Sequence, residues 1–177
     1  VKTDLNTWHA YLPGYSWKGF LDNATAQTFP GSPWNFTEGY VQTEVPMFNS
    51  ECGNVWGYEG STGDVDWSWD YHIMMNEFRR HPKVAGWLYT EHHDVINEWN
   101  GYWKYDRSEK FTGFEELVQG MSLNDMHSYI YLAPEVELCT DVKTGQTAEV
   151  PVRLSIMTDK VPTEEVDLNL NLYGWNS

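Results

Sequence analysis

Two stretches of the chain end an apolar run in groups able to do chemistry. Val45-Pro46-Met47-Phe48-Asn49-Ser50-Glu51-Cys52-Gly53 passes from apolar residues into a carboxylate, a thiol and a glycine. Val84-Ala85-Gly86-Trp87-Leu88-Tyr89 passes into Thr90-Glu91-His92-His93-Asp94. A carboxylate at the end of a buried strand can attack an electrophilic carbon or activate water, which makes Glu51 the leading catalytic candidate. A charge emerging into solvent at a strand end is the plainer alternative. Glu91, His92, His93 and Asp94 have the residue types of a metal site. Neighbours in a strand point to opposite faces, so the four cannot share one ion, and no His-Glu-x-x-His occurs. Hydrogen bonding around a strand mouth is the better reading, and no metal is expected. No Gly-x-Ser-x-Gly elbow is present, nor a glycine-rich phosphate cradle leading into a helix with lysine.

The elements that must position these groups can be read from periodicity. Residues 4–11 form a short strand tipped by Trp8, His9 and Tyr11, and strands are expected over 45–51 and 84–89. A helix is expected near 16–27, followed by an ordered loop rich in Pro, Gly and aromatics, long enough to suggest function. Gly53, Gly57, Gly60 and Gly63 punctuate a surface loop. Thr62 or Asp64 then caps a helix running to His81. Trp67, Tyr71, Met74, Met75 and Phe78 share one face of it, so both methionines are core filler. Arg79, Arg80 and His81 suit its C-terminus, and Pro82 stops it. His72 and His81 are surface or cap residues on this helix. A last short helix covers roughly 113–120. Strand, polar tip, helix, strand, polar tip is how a β/α barrel brings groups to the C-terminal ends of its strands.

Near Asn124 the period becomes two. Val136 and Leu138, then Val150, Val152, Leu154 and Ile156, then Val166, Leu168, Leu170 and Leu172 alternate with polar residues, with turns at 143–146 and 159–163. This predicts an antiparallel sandwich. Pro151 cannot donate to a ladder, so its strand is an edge or is bulged there.

The chain has 177 residues, whereas a whole β/α barrel needs about 250 and a whole immunoglobulin-like sandwich about seven strands. Only part of each fits. Aromatics are 16% of the chain, with 10 Trp and 11 Tyr. Such rings either fill a core or stack on the C–H faces of sugars. The formal charge of −15 disfavours nucleic acid and anionic membranes. No apolar run approaches the ~18 residues of a membrane span, and no signal-peptide pattern is present. The chain opens on Val1, and a segment upstream is expected. Cys52 and Cys139 fit no metal spacing and read as two buried free thiols rather than a disulfide.

Asn49-Ser50-Glu51-Cys52-Gly53 resembles the nucleophile segment on strand 7 of glycoside hydrolase family 2, which includes β-galactosidases, β-glucuronidases and β-mannosidases. Asp94-Val95, Glu98, Asn100-Gly101 and Tyr105-Asp106-Arg107 resemble the segment after strand 8. Phe29-Pro30-Gly31-Ser32-Pro33-Trp34-Asn35-Phe36 looks like the loop between strands 6 and 7, and Trp8-His9-Ala10-Tyr11 like the end of strand 6. The resemblance covers roughly residues 4–120 and says nothing of the particular sugar.

The resemblance implies an α/β fold: barrel units 6–8 over residues 1–122, then a partial immunoglobulin-like sandwich over 123–177. It implies a retaining β-glycosidase with Glu51 as nucleophile and no cofactor. The acid/base of that family lies in an Asn-Glu pair on strand 4, which this chain lacks. Its partner would be the missing N-terminal part of the same enzyme, and alone the slice should be nearly inactive. Glu91 is then a subsite residue. His9, Trp87 and Asn100 are candidates for shaping the subsite, although Trp87 also reads as core. A periplasmic or extracellular bacterial enzyme acting on a carbohydrate is expected. A non-catalytic carbohydrate-binding module is the rival class, and a structural or assembly fragment a third. Open strand edges would favour self-association.

Overall fold

The computed structural model describes residues 3–53, 67–96, 98–161, 165–172 and 174. Strands β1 (Asn6–Tyr11), β2 (Met47–Gly53) and β3 (Val84–Tyr89) make one parallel sheet in the order β1-β2-β3. Parallel neighbours need a crossover. Helix α1 (Ser16–Gln27) lies in the first, and helix α2 (His72–Arg80), entered through a π-helical turn at Trp67–Tyr71, in the second. Helices α3 (Phe114–Leu117) and α4 (Leu123–Met126) follow. Strands β4 (Ile130–Pro134) and β5 (Val152–Ile156) then pair antiparallel in a separate sheet. Among the described residues the parallel sheet is open, with β1 and β3 at its edges, and no helix is long and apolar enough to cross a membrane.

Both crossover helices pack on one face of the sheet through aromatic rings. Trp17, Leu21 and Ala24 give α1 a buried stripe at helical spacing. Tyr71, Met74, Met75 and Phe78 do the same for the second helix. Trp8 of β1 meets Trp17, Phe20 and Phe78 with ring centroids 6.4, 5.2 and 6.1 Å apart. Enclosing a side chain such as Phe78 stabilises the fold by about 1.5–3 kcal/mol. Arg79 and Arg80 occupy the last turn of α2, and Pro82 holds His81 in extended backbone, which ends the helix. The expected caps at Thr62 or Asp64 lie outside the described residues.

Among the described residues, no helix or strand covers the other face of the sheet. Thr7, His9 and Leu88 are exposed there, and Phe48 and Ser50 half-buried. Parallel sheets are normally covered on both sides.

Strand β2 carries a bulge. Trp8 pairs with Asn49, but His9 pairs with Glu51, so Ser50 and Glu51 together oppose His9. The step recurs against β3, where Asn49 pairs with Trp87 and Cys52 with Tyr89. Strict alternation in register would send Glu51 to the helix side with Met47 and Asn49. The extra residue puts Cys52 on the helix side and Glu51 on the bare face.

The second sheet leans on α2. Tyr131 donates to Asn76 Oδ1 at 2.9 Å, and the Arg79 guanidinium lies between the Tyr131 and Trp87 rings, 4.5 and 5.3 Å from their centroids. The ladder is shorter and earlier than the alternation predicts. It uses Ile130–Pro134 rather than 136–138, and residues 166–172 are exposed and pair with none of the described strands. Alternation records which side of a strand is apolar, not whether a partner is at hand. Pro151 sits just before β5 and offers only its carbonyl, which accepts from Glu135 N at 2.8 Å.

Candidate functional site

Glu51 stands at the C-terminal end of β2 with two side chains of β1 turned toward it. Tyr11 donates its hydroxyl to Glu51 Oε1 at 2.8 Å. His9 Nδ1 lies 3.5 Å from Glu51 Oε2. His9 and Tyr11 are two apart on a strand and so share its open face. Gly53 makes the arrangement fit, because a Cβ there would lie 2.9 Å from the Tyr11 ring. Burial, followed by the hydrogen bond to Glu51, pushes the Tyr11 phenol well up, so Tyr11 keeps its proton and can only donate to the carboxylate. The Glu51 side chain is 40% exposed and within reach of a ligand on the bare face. Cys52 faces the other way, and burial pushes its thiol far up, leaving it a packing group. Both cysteines are free, but only Cys52 is buried as expected; Cys139 is exposed.

The loop after β3 is a frame built on Asp94. Lys110 Nζ meets Asp94 Oδ1 at 2.6 Å with both side chains enclosed, and also donates to the Trp99 carbonyl at 2.8 Å. Gly101 N donates to Asp94 Oδ1 at 3.0 Å. Only glycine fits at 101, since a Cβ there would strike the His93 and Asp94 backbone. Val95 and Glu98 exchange backbone bonds of 2.9 and 3.3 Å. Tyr105-Asp106-Arg107 is an exposed turn, closed by Arg107 N to Lys104 O at 2.8 Å and by Asp106 Oδ1 accepting from Ser108. These motif residues make bonds that hold the loop backbone.

The sequence-derived candidates separate accordingly. His9 is beside Glu51. Asn100 is buried within the loop frame. Glu91 turns into its own loop. Burial raises its carboxyl, with the charges of Glu98 and Asp94 adding, and its Oε1 is enclosed without a hydrogen-bond partner. Trp87 is on the helix side, stacked on Phe78 at 5.3 Å and 13°. His72 is half-buried and desolvation pushes it down to about 4, and His81 Nε2 lies 3.5 Å from Asp22 Oδ1 at the helix end. The long loop over 28–46 is tied to Asn6, at the opposite end of β1 from Glu51. Gln42 accepts from Asn6 at 2.8 Å, and Asn35 donates to Asn6 Oδ1 at 2.8 Å and Thr7 O at 2.7 Å. That placement follows from chain order, since a helix-to-strand connection lies at the N-terminal end of the sheet.

Tyr11 is the partner that the motifs alone do not mark. Its signal is the two-residue spacing from His9, which becomes informative only once β1 and β2 are in parallel register. Among the described residues no three His, Cys, Asp or Glu side chains converge as a metal site would require. No protein-family model and no curated protein matches the chain.

Proposed function

We propose that the chain is the C-terminal part of a retaining β-glycosidase similar to glycoside hydrolase family 2, with residues 1–122 contributing to its barrel and 123–177 beginning an immunoglobulin-like sandwich. The observation that carries the reading is Glu51 turned by the bulge onto the open face, held by Tyr11 and faced by His9. In this reaction a carboxylate oxygen of Glu51 bonds to the anomeric carbon as the glycosidic C–O bond breaks. The leaving oxygen takes a proton from a second carboxyl group, which then activates water to release the sugar. Tyr11 donates to Oε1 and His9 Nδ1 stands 3.5 Å from Oε2, so the two side chains orient the partly exposed carboxylate. On this reading the proton donor belongs to a part of the enzyme outside this chain, the remaining strands pair at the open edges of β1 and β3, and the bare face is the barrel interior.

Activated 2-deoxy-2-fluoro glycosides test this directly, because their leaving groups need no proton donor. Intact mass should rise by one glycosyl unit, the label should map to Glu51, and Glu51→Gln should abolish it. Failure to label Glu51 both here and in the longer parent enzyme sinks the proposal.

A further inference from the structure

A second cleft lies beyond the β3 tip, between the loop over 92–112 and α4. It has a volume of about 520 Å³ and shares no lining residue with the Glu51 cluster. Pockets for small ligands typically fall within ~300–1,000 Å³ and combine aromatic walls with a few placed polar groups. Trp103 provides the wall. Its backbone is bridged to His93 on one side and Glu109 on the other, and the residue is 37% exposed. Trp103 N donates to His92 O at 3.3 Å, and Asp94 N to Trp103 O at 2.9 Å, so the indole is mounted on the Asp94–Lys110 frame.

The floor is equally fixed. The Tyr102 and His127 rings meet edge to face at 5.7 Å. The buried Tyr71 hydroxyl lies 3.0 Å from Tyr102 Oη and 2.7 Å from His127 Nε2, locking both. Burial, then the charge of Arg79, pushes the His127 imidazole down, which favours a neutral ring. The far wall is α4, whose start is set by a capping box between Ser122 and Asp125, and it presents Leu123 and Asn124. Lys110 is engaged by Asp94, which leaves Glu109 as the one formal charge among the described lining residues with no ion pair to a described neighbour. An anion would meet that carboxylate and the field of a chain at −15.

We propose that this cleft is a second, non-catalytic binding site for a neutral hexopyranose unit of a glycan. The indole of Trp103 takes the C–H face of the ring, and Asn124, Thr112 and His92 take its hydroxyls. The site goes beyond the glycosidase reading and stands without it.

The test is NMR on the ¹⁵N-labelled chain, titrated separately with methyl β-D-glucopyranoside, methyl β-D-galactopyranoside and methyl β-D-mannopyranoside. At least one should give saturable shifts of the Trp103 indole N–H and the Asn124 amide, alike in wild type and in Glu51→Gln. Trp103→Ala should weaken binding roughly tenfold or more, read at the Asn124 amide. Asn124→Ala, at an exposed position, should weaken it several-fold while leaving labelling of Glu51 unchanged, and it decides the matter if Trp103→Ala fails to fold. Absence of saturable shifts in the cleft with all three glycosides, or unchanged affinity in the folded variants, overturns the proposal. Glu51→Gln blocks covalent labelling without touching this cleft, so the two readings fail separately.

Discussion

Replacing Lys110 by Met isolates the energetics of the frame behind the β3 tip. Lys110 and Asp94 meet at 2.6 Å with side chains only 6% and 7% exposed. Methionine keeps much of the aliphatic stem but removes the charge, leaving the Asp94 carboxylate enclosed and unpaired. Breaking a buried pair from one side costs about 3–5 kcal/mol. Gly101 N still donates to Asp94 at 3.0 Å, which argues for the lower end. In a domain of this size each kcal/mol lowers the melting temperature by about 2–4 °C, so a loss of about 3 kcal/mol is a fall of roughly 6–12 °C. Lys18→Met is the control. Lys18 and Asp22 are equally close at 2.6 Å, but their side chains are 54% and 49% exposed. That change should shift stability by no more than about 0.5 kcal/mol. Thermal melts followed by far-ultraviolet circular dichroism give both numbers. The paired variant Asp94→Leu/Lys110→Met should recover much of the loss, because it leaves no orphaned charge. A Lys110→Met variant that melts within a degree of the wild type would refute the argument, as would strictly additive single effects.

Three further outcomes follow from the same geometry. Glu91 has its carboxyl raised by burial, so the folded chain holds that proton more tightly than the unfolded chain, and stability falls as pH rises from the ordinary carboxylate range toward the raised value. Glu91→Gln should therefore stabilise the protein at neutral pH and do little in acid; an equal gain at both, seen in parallel melts, would count against burial as the cause. His72 has the opposite sense: with a folded value of about 4 against 6.5 unfolded, stability is full above 6.5 and is lost as pH falls toward 4. The loss is roughly 3 kcal/mol over that window, and His72→Gln should flatten it in denaturant titrations. Gly53→Ala should cost about 1–3 kcal/mol by pressing the new methyl group into the Tyr11 ring, and most of that cost should vanish in a Tyr11→Ala background.

Much of the scaffold was legible in the sequence, and the reasons are local. The stripe Trp17, Leu21 and Ala24 marks α1 over its observed span, and Pro82 fixes the end of the following helix. Val84–Tyr89 reads directly as a strand. Which way its side chains point does not, because Gly86 and Leu88 on one side and Trp87 and Tyr89 on the other are all apolar or small. Trp87 therefore reads equally well as a sugar platform and as the packing partner of Phe78 that it is. At the site, Glu51 stands out by type and place. Its link to Tyr11 does not, since it depends on the register between strands separated by a whole crossover. The alternation over 166–172 is real as a pattern, but a pattern in one segment carries no information about the distance to a partner edge.

The residue opposite nothing in β2 also changes what a length mutation does there. In a regular strand, losing one residue turns over every side chain downstream, and a deletion near a functional group exchanges its identity with that of its neighbour. Here Ser50 and Glu51 share one position against His9. Removing Ser50 gives a regular ladder in which Glu51 still opposes His9 and Cys52 still faces the helices. Adding a residue at the same place has no such slack to absorb it. Strand β2 should therefore tolerate loss of Ser50 better than gain of a residue at the same place. What the spare residue controls is the local bend of the backbone, hence the height at which the carboxylate stands above the sheet.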